Sequence, residues 1–152
     1  MQVEKSFLLA AHPEEAWNLL KDVERVARCI PGVGEVKEIS PLEHYEATLT
    51  DRVGPFKVRF RIRVASRFRE EERAVELDLE GQDRSLGSTL MARFTLALSG
   101  GEDGQCRLTV RGETWVTGTL GTLGMPVIRR KVDEAVEQFA RNLSQLLTGT
   151  GG

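Results

Sequence analysis

The feature of this sequence that most constrains its fold is a series of six strand-like segments between residues 33 and 117. The segments cover residues 33–40, 43–52, 55–68, 73–81, 86–99 and 105–117. The breaks between them are short and rich in Gly, Pro, Ser and acidic residues, which are typical of turns. Because such short connections leave no room for crossover helices, the sequence predicts antiparallel neighbours in a meander.

The segment over residues 55–68 shows the clearest alternation. Its apolar positions are Phe56, Val58, Phe60, Ile62 and Val64. The positions between them are Lys57, Arg59, Arg61 and Arg63. A period of two places the apolar set on the core face and the basic set in solvent.

Arg67 and Arg69 continue the basic stripe of this strand, which has two interpretations. The next segment carries Glu76, Asp78 and Glu80 at the same alternation, so we expect a cross-strand ladder with the arginines on the solvent face. Alternatively, the stripe could attract phosphate groups or an anionic membrane surface.

The ends of the chain supply another strand and the helices. Residues 2–9 read as a first strand, and Pro13 with two following glutamates marks the start of a short helix. A second short helix is expected over residues 22–29, with Asp22 as its N-cap. From about residue 126 to 147, apolar residues recur at helical spacing: Ile128, Val132, Ala135, Val136, Phe139, Leu143 and Leu146.

This order of elements predicts an α+β protein. A seven-stranded antiparallel sheet with one apolar face needs a cover, and the long C-terminal helix is the element able to supply it. We expect residues 1–148 to form one domain, with a curled sheet around that helix, and residues 149–152 to form a disordered tail. Several inward candidates are small, so we expect a cavity between sheet and helix; they are Ala47, Ala92, Ala97, Gly112 and Ala135.

Composition excludes several classes of function. The formal net charge is −2, which argues against a nucleic-acid-binding protein, and the apolar runs are too short to span a bilayer. The N-terminus lacks the pattern of a secretory signal. Cys29 and Cys106 lack metal-ligand spacing, so we expect buried free thiols in a cytoplasmic protein.

No residue pattern indicates catalysis. His12 and His44 are the two histidines, and both are expected at the surface. Two histidines and two distant cysteines do not supply a metal site, so no metal ligand is expected. No catalytic residue and no cofactor are expected either. The glycines from Gly118 to Gly124 lack the context of a nucleotide loop and indicate a flexible helix entry or a close approach to the sheet. Strand parity places Trp115 on the outer face of the sheet. A bulge in the strand would place it on the inner face, so the sequence does not decide between the two orientations.

Four stretches of the sequence resemble a known superfamily, and the likeness covers about residues 2–147. They are Ala11–Asp22, Val26–Gly32, Val53–Phe56 and Gly118–Gly124. The first resembles the START-like (SRPBCC) helix-grip superfamily, which includes polyketide cyclases. The Cys-Ile-Pro-Gly and Val-Gly-Pro segments are most similar to the family of the carbon monoxide dehydrogenase G subunit. The resemblance implies a helix-grip fold and a role in serving a molybdenum-dependent dehydrogenase.

We therefore expect noncatalytic binding of a hydrophobic small molecule, such as a lipid, quinone or polycyclic compound, with at most peripheral membrane contact. The expected cavity wall comprises Phe60, Leu77, Phe94, Leu96, Ile128, Val132, Val136 and Phe139. One alternative is a polyketide cyclase or dehydratase that uses inward polar groups such as Arg93, Tyr45, Ser88, Thr89 or Thr114. Another is an accessory protein that acts through its surface alone.

Overall fold

Seven strands form a single antiparallel sheet in the computed structural model, which describes residues 1–100 and 103–148. The strands are β1 (Gln2–Leu9), β2 (Val33–Ser40), β3 (His44–Val53), β4 (Phe56–Arg69), β5 (Ala74–Asp83), β6 (Ser88–Gly100) and β7 (Cys106–Gly118). Their spatial order is β1-β7-β6-β5-β4-β3-β2. Strands β2 to β7 are therefore a meander, as the short breaks predict, and β1 pairs with the last strand.

Three α-helices accompany the sheet. They are α1 (Pro13–Lys21), α2 (Val23–Arg28) and α3 (Met125–Thr148). Each predicted strand and helix is present within about two residues of its expected ends, so the α+β helix-grip prediction is confirmed. The tail predicted for residues 149–152 lies outside the described residues.

The alternation of β4 has the predicted orientation. Val58, Phe60 and Ile62 are buried on the face toward α3, while the arginines between them are exposed. The ladder with β5 is confirmed for two of its acids: Arg63 lies 4.0 Å from Glu80, and Arg67 lies 3.9 Å from Glu76.

The third acid of the expected ladder is placed differently. Asp78 lies opposite Ala65, which stands between Arg63 and Arg67 on the same face of β4. Asp78 instead pairs with Arg93 on the other neighbouring strand, at 3.3 Å. The expectation that Asp78 faces an arginine of β4 is therefore wrong.

Close approaches between strands depend on glycine at two inward positions. A Cβ atom at Gly112 would lie 2.5 Å from Cδ1 of the Phe94 ring, and one at Gly81 would lie 2.9 Å from Ile62. The absence of a side chain at Gly112 thus lets the Phe94 ring lie across β7. The expectation that Ala97 points inward is wrong, because Ala97 alternates with Leu96 and Leu98, which are buried on the inner face.

Ion pairs join α3 to both ends of the sheet. Lys5 of β1 lies 2.7 Å from Glu137, and Asp51 of β3 lies 3.2 Å from Lys131. The backbone of α3 also approaches the sheet most extensively at β1 and β3, which stand at or next to its two edges. The helix therefore closes the curl of the sheet at both sides.

Two further contacts fix the helices. Asn142 of α3 donates a hydrogen bond to the carbonyl of Cys29 at 2.8 Å, at the end of α2. On α1, the Trp17 indole N–H donates to a Glu70 carboxylate oxygen at 2.6 Å, and Lys21 donates to the other oxygen at 3.0 Å. These hydrogen bonds, that of Trp17 first, hold the pKa of Glu70 below its ordinary value.

The glycine-containing segment before α3 includes a short helix that contacts β7. Residues Leu120–Leu123 form a 3-10 helix, and the Leu120 N–H donates to the Ser88 hydroxyl at 2.9 Å. Gly118 has φ of +83°, and a Cβ atom there would collide with the carbonyl of Gly87. A Cβ atom at Gly121 would lie 2.8 Å from the Val116 carbonyl, so the alternative of a close approach to the sheet is confirmed at this glycine.

None of the helices within residues 1–100 and 103–148 is long and apolar enough to cross a bilayer.

Candidate functional site

The inner face of the sheet is packed in two separate apolar clusters. The larger one joins β1, α1 and α2 to the C-terminal half of α3, and it includes Leu108, Phe139 and Leu143. The smaller one joins the β3–β4 hairpin to the start of α3, around Phe60 and Ile128. Partly buried side chains, among them Met1 and Val132, pack against both clusters and lie between them.

The boundary between the clusters, which we call the seam, runs across the central strands. Leu77 and Phe94 pack against the larger cluster, whereas Val64 and Leu79 pack against the smaller one. All four point inward by register, and all four are partly exposed. Val132 of α3 contacts both clusters and is also partly exposed. Inward side chains on central strands would be buried if the helix packed tightly against them.

The eight residues expected to line a cavity all lie on the inner face of the sheet or the inner side of α3, and they fall into two groups. Leu77, Phe94 and Val132 are the partly exposed members, at the seam. The other five are buried within the clusters, and they are Phe60, Leu96, Ile128, Val136 and Phe139. The sequence pattern did not indicate Val64 and Leu79 as seam residues, although their parity is inward.

Asp83 is a buried carboxylate at the end of β5, with 3% of its surface exposed. It accepts hydrogen bonds from the Arg59 N–H at 2.8 Å and the Ser85 hydroxyl at 2.6 Å. The Leu86 N–H donates to it at 3.2 Å. Burial alone raises the pKa of Asp83, but these hydrogen bonds outweigh burial and hold the pKa below its ordinary value. An ionised carboxylate held this way has a structural role.

The five polar residues that an enzyme would need do not converge. Register places Arg93 and Thr89 on the outer face, so the expectation that they point inward is wrong. Tyr45 and Ser88 lie on the inner face, but each hydroxyl oxygen already accepts a backbone N–H, from Leu42 and Leu120 respectively. Thr114 is inward, is 5% exposed, and has a hydroxyl with no hydrogen-bond partner.

Two grooves lie on the outer face of the sheet, away from α3. The first, of about 710 Å³, is crossed by the pairs Arg93–Asp78 and Arg111–Glu4. The second, of about 440 Å³, has three exposed apolar side chains in its lining: Ile39, Met91 and Trp115. Trp115 is thus on the outside, opposite Met91, as plain strand parity predicts.

The candidate nucleophiles and metal ligands are dispersed. His12 and His44 are exposed, as expected. Cys29 and Cys106 are free and buried, and burial raises the pKa of both thiols. Within the described parts of the chain, no three His, Cys, Asp or Glu side chains come together as a metal site would require.

The sequence matches the model of the carbon monoxide dehydrogenase G-subunit (CoxG) family over residues 6–148, and the protein belongs to this family. The family match and the fold together define a helix-grip domain of the CoxG family. No curated protein matches the sequence significantly.

Solved structures share the fold at low sequence identity. A conserved protein from Geobacillus kaustophilus is 17% identical with a TM-score of 0.88, over 99% of this chain and 97% of that one. A START superfamily protein from Mycobacterium smegmatis is 15% identical, with a TM-score of 0.72 and 97% coverage of both chains. The Zhui aromatase/cyclase from Streptomyces sp. R1128 is 18% identical, with a TM-score of 0.61, over 99% of this chain and 93% of that one.

Proposed function

We propose that this protein binds and carries a hydrophobic small molecule, such as a lipid, quinone or polycyclic compound, without transforming it. The site is the interior between the sheet and α3, with the seam at its centre. The observation that carries the proposal is the partial exposure of inward apolar side chains on central strands, at Leu77, Leu79 and Phe94. Tightly packed proteins bury such positions.

Apolar contact is sufficient for this kind of binding. Removing apolar surface from water contributes about 25 cal/mol per Å², and ligand pockets are lined mainly by apolar side chains. The wall would comprise the eight residues predicted from the sequence, together with Val64 and Leu79. The absence of convergent acids, bases or nucleophiles among the inward side chains described above favours carriage over catalysis.

We further propose that the protein acts as an accessory to a molybdenum-dependent carbon monoxide dehydrogenase, which its family membership supports. The two free, buried thiols support a cytoplasmic location, since unpaired cysteines persist in a reducing compartment. The net charge of −2 and the paired arginines of β4 disfavour nucleic acid as a partner. Any membrane contact would be peripheral.

A polyketide cyclase-like or dehydratase-like activity is the second candidate. The similarity in fold to an aromatase/cyclase favours it, as does the free hydroxyl of Thr114 on the inner face. The outward positions of Arg93 and Thr89 leave such an enzyme without a charged inward group at those positions.

Native mass spectrometry after incubation with a hydrophobic cell extract tests the proposal. We expect a noncovalent adduct that leaves on denaturation with its mass unchanged. Release of a compound altered in mass relative to the extract would favour the enzyme. An unliganded protein in every extract would indicate a function at the surface only and would contradict carriage.

A further inference from the structure

The charged side chains that the inner face of the sheet presents toward α3 are already paired in the described residues. Lys5 bonds to Glu137 at 2.7 Å, and Lys131 lies 3.2 Å from Asp51. The carboxylate of Asp83 is occupied by the hydrogen bonds described above. A ligand that carried a formal charge into this interior would meet no free counter-charge, and would lose its hydration without compensation.

The neutral polar groups on the inner face are occupied as well, with one exception. The hydroxyl of Ser66 donates to the Leu42 carbonyl at 2.8 Å, and those of Tyr45 and Ser88 accept backbone N–H groups. Thr114 is the exception within residues 1–100 and 103–148: its hydroxyl oxygen is buried and has no partner.

Thr114 is well placed to meet a ligand at the seam. It lies on the inner face of β7, directly opposite Ala92, and Ala92 pairs with the seam residue Leu79. The register thus places one small side chain, the methyl of Ala92, between Thr114 and Leu79. Two residues before Thr114, Gly112 is covered by the ring of Phe94, which is another seam residue.

We infer that the interior takes an uncharged ligand with one polar group, and that this group hydrogen-bonds to the Thr114 hydroxyl. The inference rests on the proposed function, since it assigns the chemistry of that ligand. A hydroxyl can donate to a carbonyl or accept from an alcohol, so long-chain ketones, esters and alcohols fit, whereas fatty-acid anions and phospholipid headgroups do not. A buried hydroxyl without a hydrogen-bond partner costs free energy, and a ligand that supplies the partner recovers it.

Displacement of the neutral fluorescent probe N-phenylnaphthylamine at pH 8 measures this selectivity. The competitors are a long-chain methyl ketone, the carboxylate of the same chain length and the corresponding alkane. We expect the ketone to bind at least about tenfold more tightly than the carboxylate, because the carboxylate must lose its hydration. We expect the affinity for the ketone to exceed the affinity for the alkane by about fivefold, which is the effect of one net hydrogen bond.

The variant Thr114→Val removes the hydroxyl and keeps the shape. It should lower the affinity for the ketone about fivefold and leave the affinity for the alkane unchanged. The melting temperature should be equal or higher, because the hydroxyl has no partner in the free protein. Thr114→Ser should keep the ketone affinity. Thr117→Val, at an outward and exposed position of the same strand, is the matched control.

The outcomes separate the two proposals. Carboxylate binding as tight as the ketone, or unchanged ketone affinity in Thr114→Val while the probe still binds, would overturn the inference and leave carriage standing. A lower melting temperature with equal losses for all three competitors would make Thr114 structural and also overturn it. No probe or ketone binding by the wild type would contradict carriage itself.

Discussion

Asp83 and Glu70 each hold a turn of the sheet through hydrogen bonds to an ionised carboxylate. Asp83 connects the β5–β6 turn to the backbone of β4, and Glu70 connects the β4–β5 turn to Trp17 of α1. Burial and hydrogen bonding act on the pKa of Asp83 in opposite directions, and hydrogen bonding prevails. Both residues therefore act as ionised structural groups rather than as catalytic acids.

Replacing Asp83 tests this role. Asp83→Ala leaves the partly buried N–H groups of Arg59 and Leu86 without this acceptor, so we expect a loss of about 1–3 kcal/mol in unfolding free energy. Asp83→Asn keeps an acceptor oxygen and should lose less. Urea denaturation of the three proteins at neutral pH measures both differences.

The stability difference between wild type and Asp83→Asn should depend on pH, because the pKa of Asp83 is lowered in the folded protein. A carboxyl whose folded pKa lies below its unfolded value stabilises the protein fully above about pH 4, and this contribution disappears as pH falls through the folded pKa. The difference in stability between wild type and Asp83→Asn should therefore shrink on acidification. A difference that is constant from pH 7 to pH 3 would show that the charge of Asp83 has no part in stability.

At the scale of elements, strand alternation and helical spacing predicted nearly every boundary, because each strand has one buried face and one solvated face. What they did not predict depends on pairing across the sheet. The partner of Asp78 is set by the pairing of β4 with β5. Ala97 is an exception, because its alternation with Leu96 and Leu98 already places it on the outer face. The bond between Trp17 and Glu70 joins residues 53 positions apart, which no local pattern encodes.

The close approach of β6 and β7 depends on Gly112. In Gly112→Ala the new methyl would lie 2.5 Å from the Phe94 ring and would also collide with the Arg93 carbonyl. We expect a loss of about 1–3 kcal/mol through overpacking, measured by thermal denaturation. Gly100→Ala, where nothing lies within 4 Å of the new methyl, is the control. Equal melting temperatures for wild type and Gly112→Ala would contradict the tight packing of Phe94 over β7.

In the whole molecule, α3 joins both sides of the curled sheet, and the inward side chains at the seam stay partly exposed. The ion pairs of Lys5 and Lys131 stand near opposite sheet edges, and the two apolar clusters lie toward opposite ends of the helix. Under the proposed function, the two clusters stabilise the fold and the seam receives the ligand. The eight residues predicted to line a cavity have inward parity, but which of them are partly exposed depends on how sheet and helix pack together.

The most direct test of the interior site is the binding of a neutral fluorescent probe to Val132→Trp, with the melting temperature measured in parallel. Val132 lies at the seam, so the larger side chain should fill open space, lower probe affinity at least about tenfold and change the melting temperature little. Val127→Trp, at an exposed position on the same helix, should bind the probe like the wild type. If the wild type takes up no probe and Val132→Trp loses about 1–3 kcal/mol of stability through overpacking, the interior is solid and the binding site does not exist.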